Sequence, residues 1–390
     1  MGFQGDNDDI FLPKRIASHI IGYLHMWDEM LNAFKIPLVF LACFVSLFII
    51  KDHKSPTLFQ RLVAVIIRTI TTYLPTWLLR IVVNSAATFE QVVYGLYQEK
   101  QQKRWVKKLE TTNGQDGWEG YLIADDVENS EIGKDADLVI LYAHGGGYVC
   151  GGALTTLVTF VDWIKGWKIS HGVNTHILSL EYGLSPENSI PVARESMLSC
   201  YQWLVDVKGI SPSKIIFAGD SAGGNLALVS VLQLINQSYS YSIEKPPSAL
   251  LLISPFLSAV TNTKSYRNNA SYDTIDTTWL HSCVDAYLGD SNLLPTCPMI
   301  SPLFENQLSE LPRVWACVGG YEVFLDDITL FVEKLMVKEV KVEYVIEDTN
   351  FHDYAMSKLL SRDRAYENTI KSMGKFLFGE SNIKKSISKE

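Results

Sequence analysis

The chain has 390 residues, 47% of them hydrophobic, and a net charge of -9. That balance, with no Lys/Arg-rich run carrying interleaved aromatics, excludes a nucleic-acid partner. The six cysteines, Cys43, Cys150, Cys200, Cys283, Cys297 and Cys317, show no CxxC spacing and fall mostly in apolar runs, so buried thiols are expected; with no zinc, haem or P-loop motif and no internal repeat, neither metal nor cofactor is expected.

The N-terminal tail, residues 1–35, opens with Asp6, Asp8 and Asp9 and reads as a mobile terminus. An uncharged run, IPLVFLACFVSLFII, starts at Ile36 and ends at Ile50 between Lys35 and Lys51. As a helix it would extend roughly 22 Å, short of an approximately 30 Å hydrocarbon core, yet flanking lysines can snorkel and a bilayer can thin. Residues 36–50 are therefore the candidate membrane anchor, with a buried helix as the alternative. Lys51, Lys54, Arg61 and Arg68 follow the run and favour a cytosolic catalytic part. The sequons at Asn236 and Asn269 would matter only in a lumen, and Lys14 and Arg15 blunt the charge asymmetry.

Residues 55–110 carry a broken helical pattern, with Leu58, Leu62, Val65, Ile66 and Ile70 before the break at Pro75 and Trp77, Leu78, Ile81 and Val82 after it. Helices outside a main sheet often form a cap over an apolar pocket, and Trp77 and Phe89 are candidates for its lining, with ordinary core packing as the alternative. A charged, turn-rich stretch over residues 98–117 is expected to join this cap to a catalytic domain over residues 111–380.

From there short β-branched runs alternate with longer helical ones. Strands are predicted at 119–124, 138–143, 175–181, 214–219, 248–254, 313–318 and 341–346, and helices at 155–168, 191–208, 222–236, 327–338 and 362–377. Alternation of this kind implies an α/β fold, a mostly parallel sheet covered on both faces, with ligands at the carboxyl ends of the strands.

Two glycine motifs fall at such ends. Gly219-Asp220-Ser221-Ala222-Gly223 fits GxSxG between a predicted strand and helix, a turn sharp enough to expose one hydroxyl, and Ser221 is the candidate nucleophile. His144-Gly145-Gly146-Gly147 follows the strand at 138–143; paired with the downstream serine it makes Gly145, Gly146 and Ala222 the candidate oxyanion donors. Downstream of Ser221 the only histidines are His281, in a helix-like context suited to a cap, and His352, after a strand and loop. His352 is the candidate base. The orienting acid should lie between them: Glu322 follows the strand at 313–318 most closely, whereas Asp326, the alternative, and Asp327 open the next helix, where the macrodipole favours carboxylates regardless of chemistry.

With His144 to Gly147, Gly219 to Gly224 and Glu181-Tyr182-Gly183-Leu184-Ser185-Pro186-Glu187 together, the stretch 135–375 resembles the hormone-sensitive lipase-like family of α/β-hydrolase esterases. Within that family it is similar to arylacetamide deacetylase and to the fungal steryl acetyl hydrolase group. The resemblance implies the α/β-hydrolase fold, a serine carboxylester hydrolase acting on short-chain, acetyl esters of hydrophobic alcohols such as steryl acetates, and an anchored protein of the endoplasmic reticulum membrane. The sequence departs from the family in two places: the acid is Glu322 where an aspartate is usual, and Asp353 follows His352 where glycine is usual. Glu187 reads as structural. A non-catalytic ligand-binding protein on the same fold and an amidase or peptidase with the same three residues are the alternatives.

Overall fold

A computed structural model describes residues 57–111, 117–236 and 245–380. The candidate anchor at residues 36–50, Cys43 and the last two residues of the Asn236 sequon lie outside them. Among the described residues no helix is long and apolar enough to cross a membrane.

Two helices come first, α1 (Leu58–Tyr73) and α2 (Thr76–Val93). Thr57 caps α1, its Oγ1 accepting from the Gln60 amide at 3.2 Å while Gln60 Oε1 accepts from the Thr57 amide at 3.0 Å. Pro75 breaks the chain between the helices because a proline disfavours the helical conformation of the residue before it. Arg61 is buried and Arg68 donates to the carbonyls of Ala270 and Asp273, so two of the four charges counted for orientation are turned into the protein.

The stretch expected as a connection over residues 98–117 instead holds α3 (Glu99–Trp105) and a strand, β1 (Val106–Glu110). Val-Lys-Lys-Leu-Glu reads as polar because β1 is the outermost strand, where charged side chains guard an open edge. Lys108 reaches Glu110 and, on the neighbouring strand, Glu119, each at 3.0 Å. The sheet therefore reaches back past the boundary placed at residue 111, to Val106.

The remaining elements are β2 (Glu119–Ile123), β3 (Leu138–Ala143), α4 (Leu157–His171), β4 (Thr175–Glu181), α5 (Val192–Gln202), β5 (Ile215–Asp220), α6 (Ser221–Ile235), β6 (Ala249–Ile253), α7 (Lys264–Asn268), α8 (Thr277–Leu288), β7 (Arg313–Gly319), α9 (Leu325–Val337), β8 (Val342–Glu347) and α10 (Ala365–Phe378). The eight described strands form one sheet in the order β1-β2-β4-β3-β5-β6-β7-β8, parallel from β4 to β8 and antiparallel at β1 and β2. The helix expected over 191–208 ends at Gln202 and gives way to a wider π-type turn, Trp203–Val207.

Strands β3, β5 and β6 are buried along their whole length, which is why they read as unbroken apolar runs rather than alternating ones. One core lies between the sheet and α5, α6 and α9; the other lies under α4 and α10. Phe217, fully buried in the first, is the kind of side chain whose truncation costs ~3–5 kcal/mol. These two cores hold the carboxyl ends of β3, β5, β7 and β8 in fixed register, and the glycine loop, Ser221, Glu322 and His352 follow those four ends in turn.

Candidate active site

Strand β5 runs into α6 with no intervening loop, and Ser221, at the junction, takes φ +51°, a left-handed conformation that a residue with a Cβ adopts at a cost. The flanking glycines allow the turn: a Cβ on Gly223 would lie 2.0 Å from the Ala143 carbonyl oxygen, and one on Gly219 would lie 2.3 Å from that of Gly223. Ser221 thus opens a 15-residue helix, whose positive end favours negative charge on its oxygen.

His352 comes to Ser221 from the loop after β8. Its Nε2 is 2.9 Å from Ser221 Oγ, and its Nδ1 is 3.0 Å from Glu322 Oε2. Glu322 sits just past β7 and is fully buried, yet its other oxygen accepts from Ser254 Oγ at 2.6 Å and the Gly319 amide at 2.5 Å. Such a carboxylate can orient the imidazole and stabilise it once charged. Asp326, the alternative acid, faces elsewhere: it opens α9 and accepts from the Ser265 amide at 2.8 Å. Burial pushes Asp327 beside it up to about 7. His281 lies exposed on α8, 3.0 Å from Thr261 Oγ1 and apart from the serine.

Two supports for this geometry have no motif of their own. The Asp273 carboxylate accepts from the His352 amide at 2.9 Å and the Val323 amide at 2.7 Å, tying the base loop to the acid loop. Asn269, the residue of the second sequon, donates its side-chain amide to the carbonyls of Gly320 and Glu322 at 3.2 and 2.8 Å. Both act on backbone far away in sequence, so only an unpaired polar residue between helices could have hinted at them.

The glycine loop departs from expectation at its first member. The Gly145 amide donates to Asp220 Oδ1 at 3.0 Å, so that donor is taken and Gly145 is not free to bind an oxyanion. Tyr142 OH donates to the same oxygen. Burial and then the charge of Asp353 push the Asp220 carboxyl up to about 7, against the pull of these two hydrogen bonds. The amides of Gly146 and Gly147 meet no acceptor among the described residues, and Gly147, at φ +62°, lines one pocket with Ser221 and Ala222. Ala222 stands in the first turn of α6, where an amide has no intrahelical acceptor.

The rest of the loop is pinned by neighbours. Tyr182 OH donates to the His144 carbonyl at 2.6 Å while its ring stacks on the His144 imidazole, and burial pushes that imidazole down to about 4, keeping it neutral. Glu187 pairs with Arg80 of α2, whose guanidinium also holds the carbonyls of Val149 and Ser185 at 2.8 Å.

Over the serine lies an apolar pocket of ≈ 360 Å³, open mouth included, walled by Tyr148, Phe256, Trp279, Cys283, Tyr287 and Phe324. Its outer wall is α8. Trp77 and Phe89, expected to line it, point away, 61% and 63% exposed. Trp77 stands two residues before Leu79 and Phe89 two before Gln91; two residues turn a helix by roughly 200°, and Leu79 and Gln91 are the buried side of α2. The cap thus joins α1 and α2 to α8, through Leu79 and Val83 against Cys283 and Trp279.

Comparison with known proteins gives a consistent result. The family model described as alpha/beta hydrolase fold matches residues 140–356. An esterase of Acinetobacter venetianus is 32% identical over 233 residues, 59% of this chain and 72% of that protein. The esterase LipU of Mycobacterium tuberculosis is 30% identical over 225 residues, 56% of this chain and 70% of its own length. Among solved structures, a hormone-sensitive lipase from a metagenome library superposes with a TM-score of 0.65 at 26% identity, covering 82% of this chain and 96% of the other.

Proposed function

Because the chain belongs to the alpha/beta hydrolase fold family, we propose that it is a serine carboxylic ester hydrolase in which Ser221 is the nucleophile, His352 the base and Glu322 the orienting acid. The observation that carries this reading is the unbroken chain of contacts from Ser221 Oγ through both nitrogens of His352 to Glu322. His352 Nε2 takes the serine proton, Oγ bonds to the ester carbonyl carbon, and the carbonyl oxygen becomes an oxyanion held by the amides of Gly146, Gly147 and Ala222. The same proton then passes to the departing alkoxide, and a water repeats the cycle to release the acid.

The substrate class proposed is short-chain, acetyl esters of hydrophobic alcohols, steryl acetates among them. A small, apolar, aromatic-walled pocket beside the serine supports a short acyl group. Membrane association through residues 36–50, with the endoplasmic reticulum as the site, is part of the same proposal. It is supported by the uncharged run itself and by the exposed Phe59, Trp77, Ile81 and Phe89 on the two helices that follow.

The test is hydrolysis of acetyl to octanoyl esters of one chromogenic alcohol, the matching acetanilide and a sterol acetate, with Ser221→Ala alongside. Turnover of acetyl esters above longer ones and above the anilide, lost in the variant, is expected. Undiminished hydrolysis by a folded Ser221→Ala protein would overturn it.

A further inference from the structure

The residue after the base is not a bystander. Asp353 Oδ2 lies 3.2 Å from His352 Nε2, the same nitrogen that is 2.9 Å from Ser221 Oγ. The turn fixes this placement. Asp353 takes φ +57°, its amide points to Ser254 Oγ at 3.4 Å, and its carbonyl accepts from the Met356 amide at 2.9 Å. Its other oxygen, Oδ1, is buried with no hydrogen-bond partner among the described residues, so the carboxylate is committed to His352.

One nitrogen cannot satisfy both neighbours in one protonation state. A neutral imidazole with its proton on Nδ1 toward Glu322 presents a lone pair at Nε2. That lone pair accepts from the serine hydroxyl, but it repels an ionised carboxylate at 3.2 Å. The contact is attractive only when a proton lies between them. We propose that Asp353 is a positioning residue that competes with Ser221 for His352 Nε2, so that the free site stores one extra proton between Asp353 and His352 and the serine is activated only after that proton has left to solvent. The inference rests on the reading of Ser221, His352 and Glu322 given above.

The surroundings favour the stored proton. Four carboxyl groups face His352: Glu322 from the loop after β7, Asp353 beside it, Asp220 from the end of β5, and Asp273, which takes its backbone amide. Burial pushes Glu322 and Asp220 up to about 7 and Asp273 above the ordinary carboxylate range. The remaining neighbours are the Ser221 hydroxyl, the Tyr142 phenol behind Asp220, and the Phe324 ring set edge-on to the imidazole. Burial alone would push the imidazole down, but the charge and hydrogen bond of Asp353, with those of Glu322, outweigh it and hold His352 well above its ordinary value. Asp353 is partly exposed, its side chain 27% accessible, which gives the proton a way out. During turnover the ledger is simple: the stored proton goes to water, Ser221 gives its own proton to Nε2, and the leaving alkoxide receives that one.

The experiment follows the rate at which a fluorophosphonate labels Ser221, forming the Oγ–P bond and expelling fluoride, from pH 4.5 to 9 in the full chain, Asp353→Asn and Asp353→Gly. Glycine and asparagine both accept the positive φ, so at least one variant should keep the turn. A carboxylate this close moves a neighbour by about 1–3 pH units, so the acid limb should shift down by at least about one unit in both variants. At a pH one unit below the wild-type midpoint, labelling should then be severalfold faster than in the parent. A merely structural role would slow labelling by one factor at every pH. Limbs that coincide in all three proteins overturn the inference and leave the esterase reading intact. No labelling of the parent at any pH overturns both.

Discussion

Arg80 of α2 and Glu187 of the loop after β4 meet at 2.7 Å, and the same guanidinium holds the Val149 and Ser185 carbonyls at 2.8 Å each. The ion pair is largely exposed and worth at most about 1 kcal/mol, whereas the two bonds to backbone tie the cap to Val149, just past the glycine loop, and to Ser185 in the loop after β4. Arg80→Ala is therefore expected to lower unfolding stability by ~1–2 kcal/mol in urea titrations and to reduce kcat/KM. Glu187→Gln should change either by far less; equal losses in the two variants would locate the effect in the ion pair instead.

Glu322 and Asp326 separate cleanly by their partners. Glu322 touches His352, and replacing its carboxylate by an amide removes the charge that supports the imidazolium and the preferred tautomer. Glu322→Gln should cut kcat by about 10³ to 10⁴ with the fold intact. Asp326→Asn should leave kcat near that of the parent and cost ~1 kcal/mol of stability at the Ser265 amide. Steady-state kinetics on the two purified variants, with thermal melts, check both halves.

What could be read from the chain was what is local. GxSxG and HGGG are contiguous, and the strands that carry them are buried on both faces, so apolar runs and glycines fell into one pattern. The partners of those motifs were not legible. Gly145 is claimed by Asp220 and His352 by Asp273, contacts across 75 and 79 residues that leave no periodic trace. β1 was hidden for the opposite reason: an edge strand with only Val106 and Leu109 half-buried is as polar as a linker. Which helix walls the pocket is not legible either, because aromatic content says nothing about which side of a helix faces in: Trp77 and Phe89 are turned outward and the wall is α8.

His144 makes the stability of the glycine loop sensitive to acid. Burial pushes its imidazole down to about 4, and its Nε2 meets no partner among the described residues. Between about pH 6.5 and 4 the unfolded chain binds a proton there and the folded one does not, so stability falls as pH falls through that window. The separation from the ordinary 6.5 is worth ~3 kcal/mol when complete. His144→Gln should remove that part of the acid loss, while carboxyls with raised values such as Asp220 act equally in both proteins and cancel in the difference. Unfolding free energies at pH 7, 5.5 and 4 measure it, and parallel curves would rule the mechanism out.

Trp279 walls the pocket that lies over Ser221. The helix that carries it is fixed at its start, where Asp276 Oδ1 accepts from the amides of Thr278 and Trp279 at 2.9 and 3.1 Å. Its ring lies close over the glycine loop: a Cβ on Gly147 would come within 3.2 Å of it. Removing the indole enlarges the pocket without replacing the serine, the base or the amide donors. Each methylene then buried is worth about 0.8 kcal/mol, and pocket discrimination of this type spans about 10- to 200-fold. Trp279→Ala is thus expected to raise the octanoyl-to-acetyl ratio of kcat/KM by at least about tenfold, chiefly through gain on the long ester. Trp77→Ala is the control, because Trp77 is exposed on the far side of α2 and should leave the ratio where it was. A change of equal size in both variants would mean that the whole cap, rather than this one ring, limits chain length.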